Sequence, residues 1–105
     1  MTETRVEVGP AESFPEGSIT AVTVGGEKLV VVRQEGEFFA VVDRCTHANF
    51  PLHDGELLDG KIKCEHHGAT FDLRTGKPTL PAVKKLRLFD TAVEDGRLFA
   101  VLQEV

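Results

Sequence analysis

Cys45 and His47, followed by Cys64, His66 and His67, gather most of the chain's soft metal ligands into two short segments. The chain has two cysteines and four histidines, and only His53 stands outside these segments. Cys45-Thr46-His47 reads as C-x-H, and Cys64-Glu65-His66-His67 as C-x-x-H. Two thiolates and two imidazoles suit a tetrahedral zinc or an iron–sulfur centre. Each segment mixes one Cys with one His, so each can hand one ligand to each iron of a two-iron cluster. Zinc fingers keep like ligands together, which favours iron and leaves a structural zinc site as the alternative. Two cysteines could form one disulfide, yet in a reducing compartment a Cys beside a His more often binds metal; two buried cysteines and surface histidines without metal are the blander option.

Beyond the ligands the chain continues His67-Gly68-Ala69-Thr70-Phe71-Asp72, then Thr75-Gly76, then Pro78 and Pro81. This run resembles the H-G-x-x-F-D…T-G…P stretch of Rieske proteins, particularly the small ferredoxins of bacterial ring-hydroxylating dioxygenases. The segment Cys45 to Leu52 is similar to the family's C-x-H-x-x-x-P-L. The resemblance implies one 2Fe–2S cluster, with Cys45 and Cys64 on the inner iron and His47 and His67 on the outer one. His66 falls at a position the family does not use. Electrons would leave through His47 or His67, and neutral imidazoles in place of thiolates would raise the potential above that of a four-Cys cluster.

High-potential relatives place a Ser after the H-G and a Tyr two residues later, and staple their loops with an extra Cys pair. Here those positions are Ala69 and Phe71, with Thr46 and His66 inside the two motifs. The expected potential therefore lies near the lower end of the roughly −150 to +300 mV Rieske range. By resemblance the chain is a cytoplasmic, monomeric one-electron carrier in aromatic-ring catabolism. Its donor would be a flavin-containing NAD(P)H reductase and its acceptor a terminal oxygenase. The small subunit of an assimilatory nitrite reductase resembles the same family and is one alternative; a non-redox zinc module is the other. Nothing outside the cluster ligands forms a nucleophile–base pair or a Gly-rich dinucleotide loop, so no catalytic residue is expected.

The elements that must position these ligands read as all-β. Arg5 to Val8 alternates, and so does Lys85 to Phe89. Ile19–Val24 and Lys28–Arg33 flank Gly25-Gly26, a pair suited to a tight hairpin. Glu35-Gly36 leads on to Phe38–Val42, and Asp95-Gly96 joins Thr91–Val93 to Leu98–Leu102. Val30-Val31-Val32 and Phe99 to Leu102 are continuously apolar, so both are expected to be covered on two faces. From Val42 to about Pro81 turns and prolines interrupt the pattern. The simplest architecture is one domain, with a base of antiparallel strands (1–43 and 82–105) and an inserted ligand-bearing module of two loops (about 44–81).

At 105 residues there is room for one core. No apolar run approaches a membrane span, and Met1 to Arg5 lacks a signal pattern. A formal net charge of −5 argues against nucleic acid and suits a basic patch on a protein partner. Phe50, Pro51, Leu52, Leu80 and Pro81 could collar the exposed histidines, though Leu52 is better placed to pack the module onto its base. His53 reads as a loop residue, Lys84-Lys85 as a solvated turn, and Asp72 as structural.

Overall fold

The computed structural model describes residues 2–45, 51–65, 68–80, 82 and 84–104. His47 and His67, with Phe50, His66 and Pro81, lie outside them. Among the described residues the chain forms two antiparallel sheets. The larger runs β1 (Thr2–Pro10), β9 (Arg97–Glu104), β8 (Leu88–Glu94), β4 (Glu37–Val42), β3 (Glu27–Gln34) and β2 (Ile19–Val24). The smaller holds β5 (Glu56–Leu58), β6 (Lys61–Lys63) and β7 (Thr70–Asp72). A single 3-10 turn at Ala11–Ser13 is the one helical piece among the described residues.

Three dipeptides turn the larger sheet. Val24 pairs Glu27, Gln34 pairs Glu37 and Glu94 pairs Arg97, so each loop is two residues long. Gly25-Gly26, Glu35-Gly36 and Asp95-Gly96 all have positive φ at both positions. This is the type I′ turn, whose twist matches that of the flanking strands. Glu35 adopts it with help, because the Glu16 carboxylate accepts the N–H groups of Glu35 at 2.5 Å and Gly36 at 2.9 Å. Those bonds, the one from Gly36 foremost, hold the Glu16 carboxyl below its ordinary pKa.

Alternate residues of β3 serve different cores, which is why it is apolar throughout. Val30 and Val32, with Val41 of β4, join Cys45, Leu52, Ile62, Cys64, Phe71 and Leu86 in one buried cluster. Leu29 and Val31 point into the apolar clusters on the other face, with Ala40, Ala100 and Leu98. The same expectation fails for β9. Leu98, Ala100 and Leu102 are buried, while Phe99 and Val101 are only half-buried. Phe99 is covered by a side chain rather than a second core, with the Arg5 guanidinium 4.7 Å from its ring centre. The Lys85–Phe89 alternation is also corrected. β8 starts at Leu88, and the Leu86 N–H bonds the Gly76 carbonyl at 2.9 Å, which ties that stretch to the loop after β7.

Two side chains tie the sheets together beyond the shared core. Gln34 donates to the Leu58 carbonyl at 2.8 Å and accepts the Gly60 N–H at 2.7 Å. Arg74 pairs with Glu37 and lies over the Phe39 ring.

Candidate metal centre

Cys45 and Cys64 lie in the one apolar cluster where the two sheets meet, 1% and 0% exposed, and neither is in a disulfide. Each opens a loop whose ends are fixed. After β6 the Cys64 N–H donates to the Ala69 carbonyl at 2.7 Å, and the Gly68 N–H donates to the Cys64 carbonyl at 3.2 Å. The β6–β7 ladder thus runs one pair beyond Lys63↔Thr70 before the chain reverses. Gly68 takes φ +74°, a left-handed conformation that glycine adopts without penalty. The reversal closed here is the stretch of sequence that contains His66 and His67.

Asp43 fixes the other loop. Its side chain is 7% exposed. Oδ1 accepts the N–H groups of Leu52 at 2.8 Å and His53 at 2.9 Å, and Oδ2 lies 2.7 Å from His53 Nδ1. The Asp43 N–H in turn donates to the Lys28 carbonyl at 3.0 Å, at the end of the β3–β4 ladder. One carboxylate therefore ties both ends of the loop in which Cys45 and His47 stand. His53 is a loop residue held by this carboxylate. The Asp43 hydrogen bond, supported by the charges of Asp43 and Asp54, raises its pKa above the ordinary imidazole value.

Gly55 lets the turn after the first loop pack closely on β6. A Cβ on Gly55 would stand 2.2 Å from the Lys63 carbonyl oxygen and 3.0 Å from that of Leu52. The turn that leaves the first loop thus lies directly on the strand that enters the second. On the far side Asp72 Oδ1 accepts the N–H groups of Arg74 at 2.7 Å and Thr75 at 3.1 Å. These bonds, Arg74 first, depress the Asp72 pKa and give it the structural role its position suggests. Thr79 bonds Thr70 through both backbone and hydroxyl, which holds Leu80 beside the second loop.

Of the expected collar, Leu52 is fully buried and packs module on base, whereas Leu80 is 79% exposed. Pro51 is half-buried, and Phe50 and Pro81 lie outside the described residues. Lys84 and Lys85 are exposed. Ala69 and Phe71 are both fully buried and bring no hydroxyl to the core around the cysteines. Asp43 and Gln34 are the positioning residues that sequence reasoning passed over. An Asp two residues before a candidate ligand, where a strand ends, is a local turn signal that could have found the first. Gln34 bonds across 24 and 26 residues, and nothing local marks it.

Metal coordination deprotonates a thiol outright, so two buried cysteines that form no disulfide can serve as thiolate ligands. Among the described residues no group of three or more His, Cys, Asp or Glu is placed to hold a metal ion, and His47 and His67 lie outside them. The donors that are described, two buried thiols on adjacent fixed loops, fit the all-thiolate side of a mixed Cys/His iron–sulfur cluster. Among the described residues no helix is long and apolar enough to cross a membrane.

A model of the Rieske [2Fe–2S] domain matches residues 4–90. The 3-phenylpropionate/cinnamic acid dioxygenase ferredoxin subunit of Photorhabdus laumondii subsp. laumondii is 37% identical over 95 residues, covering 89% of this chain and 90% of that protein. The ferredoxin of carbazole 1,9a-dioxygenase from Nocardioides aromaticivorans superposes with a TM-score of 0.87 at 33% identity, over 92% of this chain and 96% of that one. A second match comes from a complex of reduced oxygenase and oxidised ferredoxin in carbazole 1,9a-dioxygenase. It has a TM-score of 0.85 at 33% identity and covers 91% of each chain.

Proposed function

Because this chain belongs to the Rieske [2Fe–2S] domain family, we propose that it is the ferredoxin of a ring-hydroxylating dioxygenase system, moving single electrons from a flavin-containing NAD(P)H reductase to a terminal oxygenase. It holds one Rieske-type 2Fe–2S cluster. Cys45 and Cys64 supply the thiolates, and His47 and His67 the imidazoles. The observation that supports this most is the placement of Cys45 and Cys64 in one dry core, each opening a loop fixed at both ends. When bound, the cluster supplies reversible one-electron chemistry.

The chain's own residues exclude water from the thiolate side and fix the ligand loops. The side chains of Ala69 and Phe71, buried in the same core as the thiols, bring no hydroxyl to sulfur, which favours a low potential. Exposed Leu80, held beside the second loop, suits a small, short-lived contact with a redox partner. The carrier is read as cytoplasmic, monomeric and without catalytic residues. The relatives named above are dioxygenase ferredoxins, and none is a nitrite reductase subunit or a zinc module.

The test is the electron paramagnetic resonance spectrum of dithionite-reduced protein. A rhombic signal with average g below that of a four-Cys cluster is expected. His67→Gln and His47→Gln should abolish it, and His66→Gln should leave it intact. A colourless preparation loaded with zinc would refute the reading.

A further inference from the structure

The formal charge of −5 is unevenly distributed. Residues 44–85 hold seven Lys and Arg against five Asp and Glu, and the rest of the chain five against twelve. On the larger sheet Arg5, Arg87 and Arg97 are spent on Glu94, Glu27 and Glu7. Lys28 and Arg44 have no ion-pair partner among the described residues. Both line an open cleft of about 660 Å³ between residues 21–23 of β2 and the first ligand loop. His53 and Pro51 complete its wall on the loop side.

Among the described residues Asp43 is the one acid in that wall, and its two oxygens are engaged by two N–H groups and the His53 ring. The described wall therefore carries two cations against one carboxylate, and that carboxylate is turned toward the loop backbone and the His53 ring. Its floor is also a sheet edge. Among the described residues β2 is an end strand of the larger sheet and hydrogen-bonds only to β3, with β1 packed near it. Arg44 directly precedes Cys45, so an occupant in contact with Arg44 lies one residue along the chain from a candidate ligand.

We propose that this cleft docks a carboxylate-rich segment of a protein redox partner, with Lys28 and Arg44 as its charged contacts. The proposal rests on the electron-carrier reading, which is what calls for a protein partner. It inverts the expectation drawn from net charge alone, because this cleft is locally cationic on an acidic molecule.

The test titrates ¹⁵N-labelled, cluster-loaded protein with a hexaglutamate peptide. Amide shifts are expected to gather at residues 21–23, Lys28 and His53. Lys28→Gln with Arg44→Gln should weaken binding about tenfold, and raising salt from about 20 to about 300 mM should do the same to the wild type. Lys61→Gln with Lys77→Gln, outside the cleft, should change affinity less than twofold. Equal losses from the two double variants, scattered shifts, or no binding by cluster-loaded protein would each overturn the docking site. The paramagnetic spectrum of the same reduced sample separates the two readings. If the Rieske signal is missing, the carrier reading itself falls, whatever the peptide does.

Discussion

Asp43→Ala should loosen the first ligand loop and shorten the life of the cluster, and the size of the effect follows from the bonds removed. The Leu52 N–H is partly buried and donates to a carboxylate, so losing its acceptor costs about 1.5–2 kcal/mol. The His53 N–H and ring are exposed, and water replaces much of what they lose, so together they add about 0.5–1 kcal/mol. The total, about 2–3 kcal/mol, raises the population of the opened loop roughly 30- to 150-fold if opening equilibrates before metal is lost. Asp43→Asn keeps an oxygen for both N–H groups and gives up only the charge, about 1 kcal/mol or roughly fivefold. The assay is loss of the cluster's visible absorbance in excess chelator, with the paramagnetic g values recorded for each variant. Faster loss for Ala than for Asn is the expected order. Rates for Asp43→Ala within twofold of wild type would refute the clamp. Equal losses for Ala and Asn would assign the effect to charge rather than to the two N–H bonds.

His53→Gln tests the other half of the pair. Its pKa is raised in the folded state, so its contribution to stability is complete below the unfolded imidazole value of about 6.5 and is lost as pH rises through the folded one. The difference in guanidinium midpoint between wild type and His53→Gln should therefore shrink between about pH 6 and pH 8, and a difference that grows would contradict the assignment. Gly55→Ala forces a methyl onto the Lys63 carbonyl and should cost about 3 kcal/mol or more, seen as a lower denaturation midpoint and poor cluster loading. Ala69→Ser offers a hydroxyl in the buried core beside the thiolates. It should raise the midpoint potential by about 40–60 mV in redox titration, the equivalent of about 1 kcal/mol for one electron, and an unchanged potential would remove Ala69 as a cause of low potential.

The parts of this molecule that could be read from sequence are those whose physics is local. Gly25-Gly26, Glu35-Gly36 and Asp95-Gly96 each supply a glycine free to take positive φ, and all three form the turns expected of them. Val30-Val31-Val32 is apolar at consecutive positions, which a strand permits only when both faces are covered, and both are. Phe99 to Leu102 shows the limit of the same rule. A continuous apolar run cannot distinguish a second core from a single stacked guanidinium, and here Arg5 of β1 supplies the cover from 94 residues away. Lys85 to Phe89 fails for a related reason. Alternation fixes which side chains share a face, but the Leu86 N–H goes to Gly76, whose φ of +78° brings that carbonyl into place.

The candidate site divides along the same line. Cys45 and Cys64 are conspicuous by type and spacing, because few side chains can bind a soft metal. What holds their loops is not conspicuous, because Asp43 and Gln34 are ordinary polar residues whose value lies in distant backbone groups. Asp43 reaches across nine and ten residues, and Gln34 across 24 and 26. The candidate ligands are thus marked by composition, whereas the bonds that fix the ends of their loops are long-range. Substituting a ligand should remove the cluster outright. Substituting Asp43 should leave it assembled but short-lived, and that difference in phenotype separates a residue that binds the centre from one that positions it.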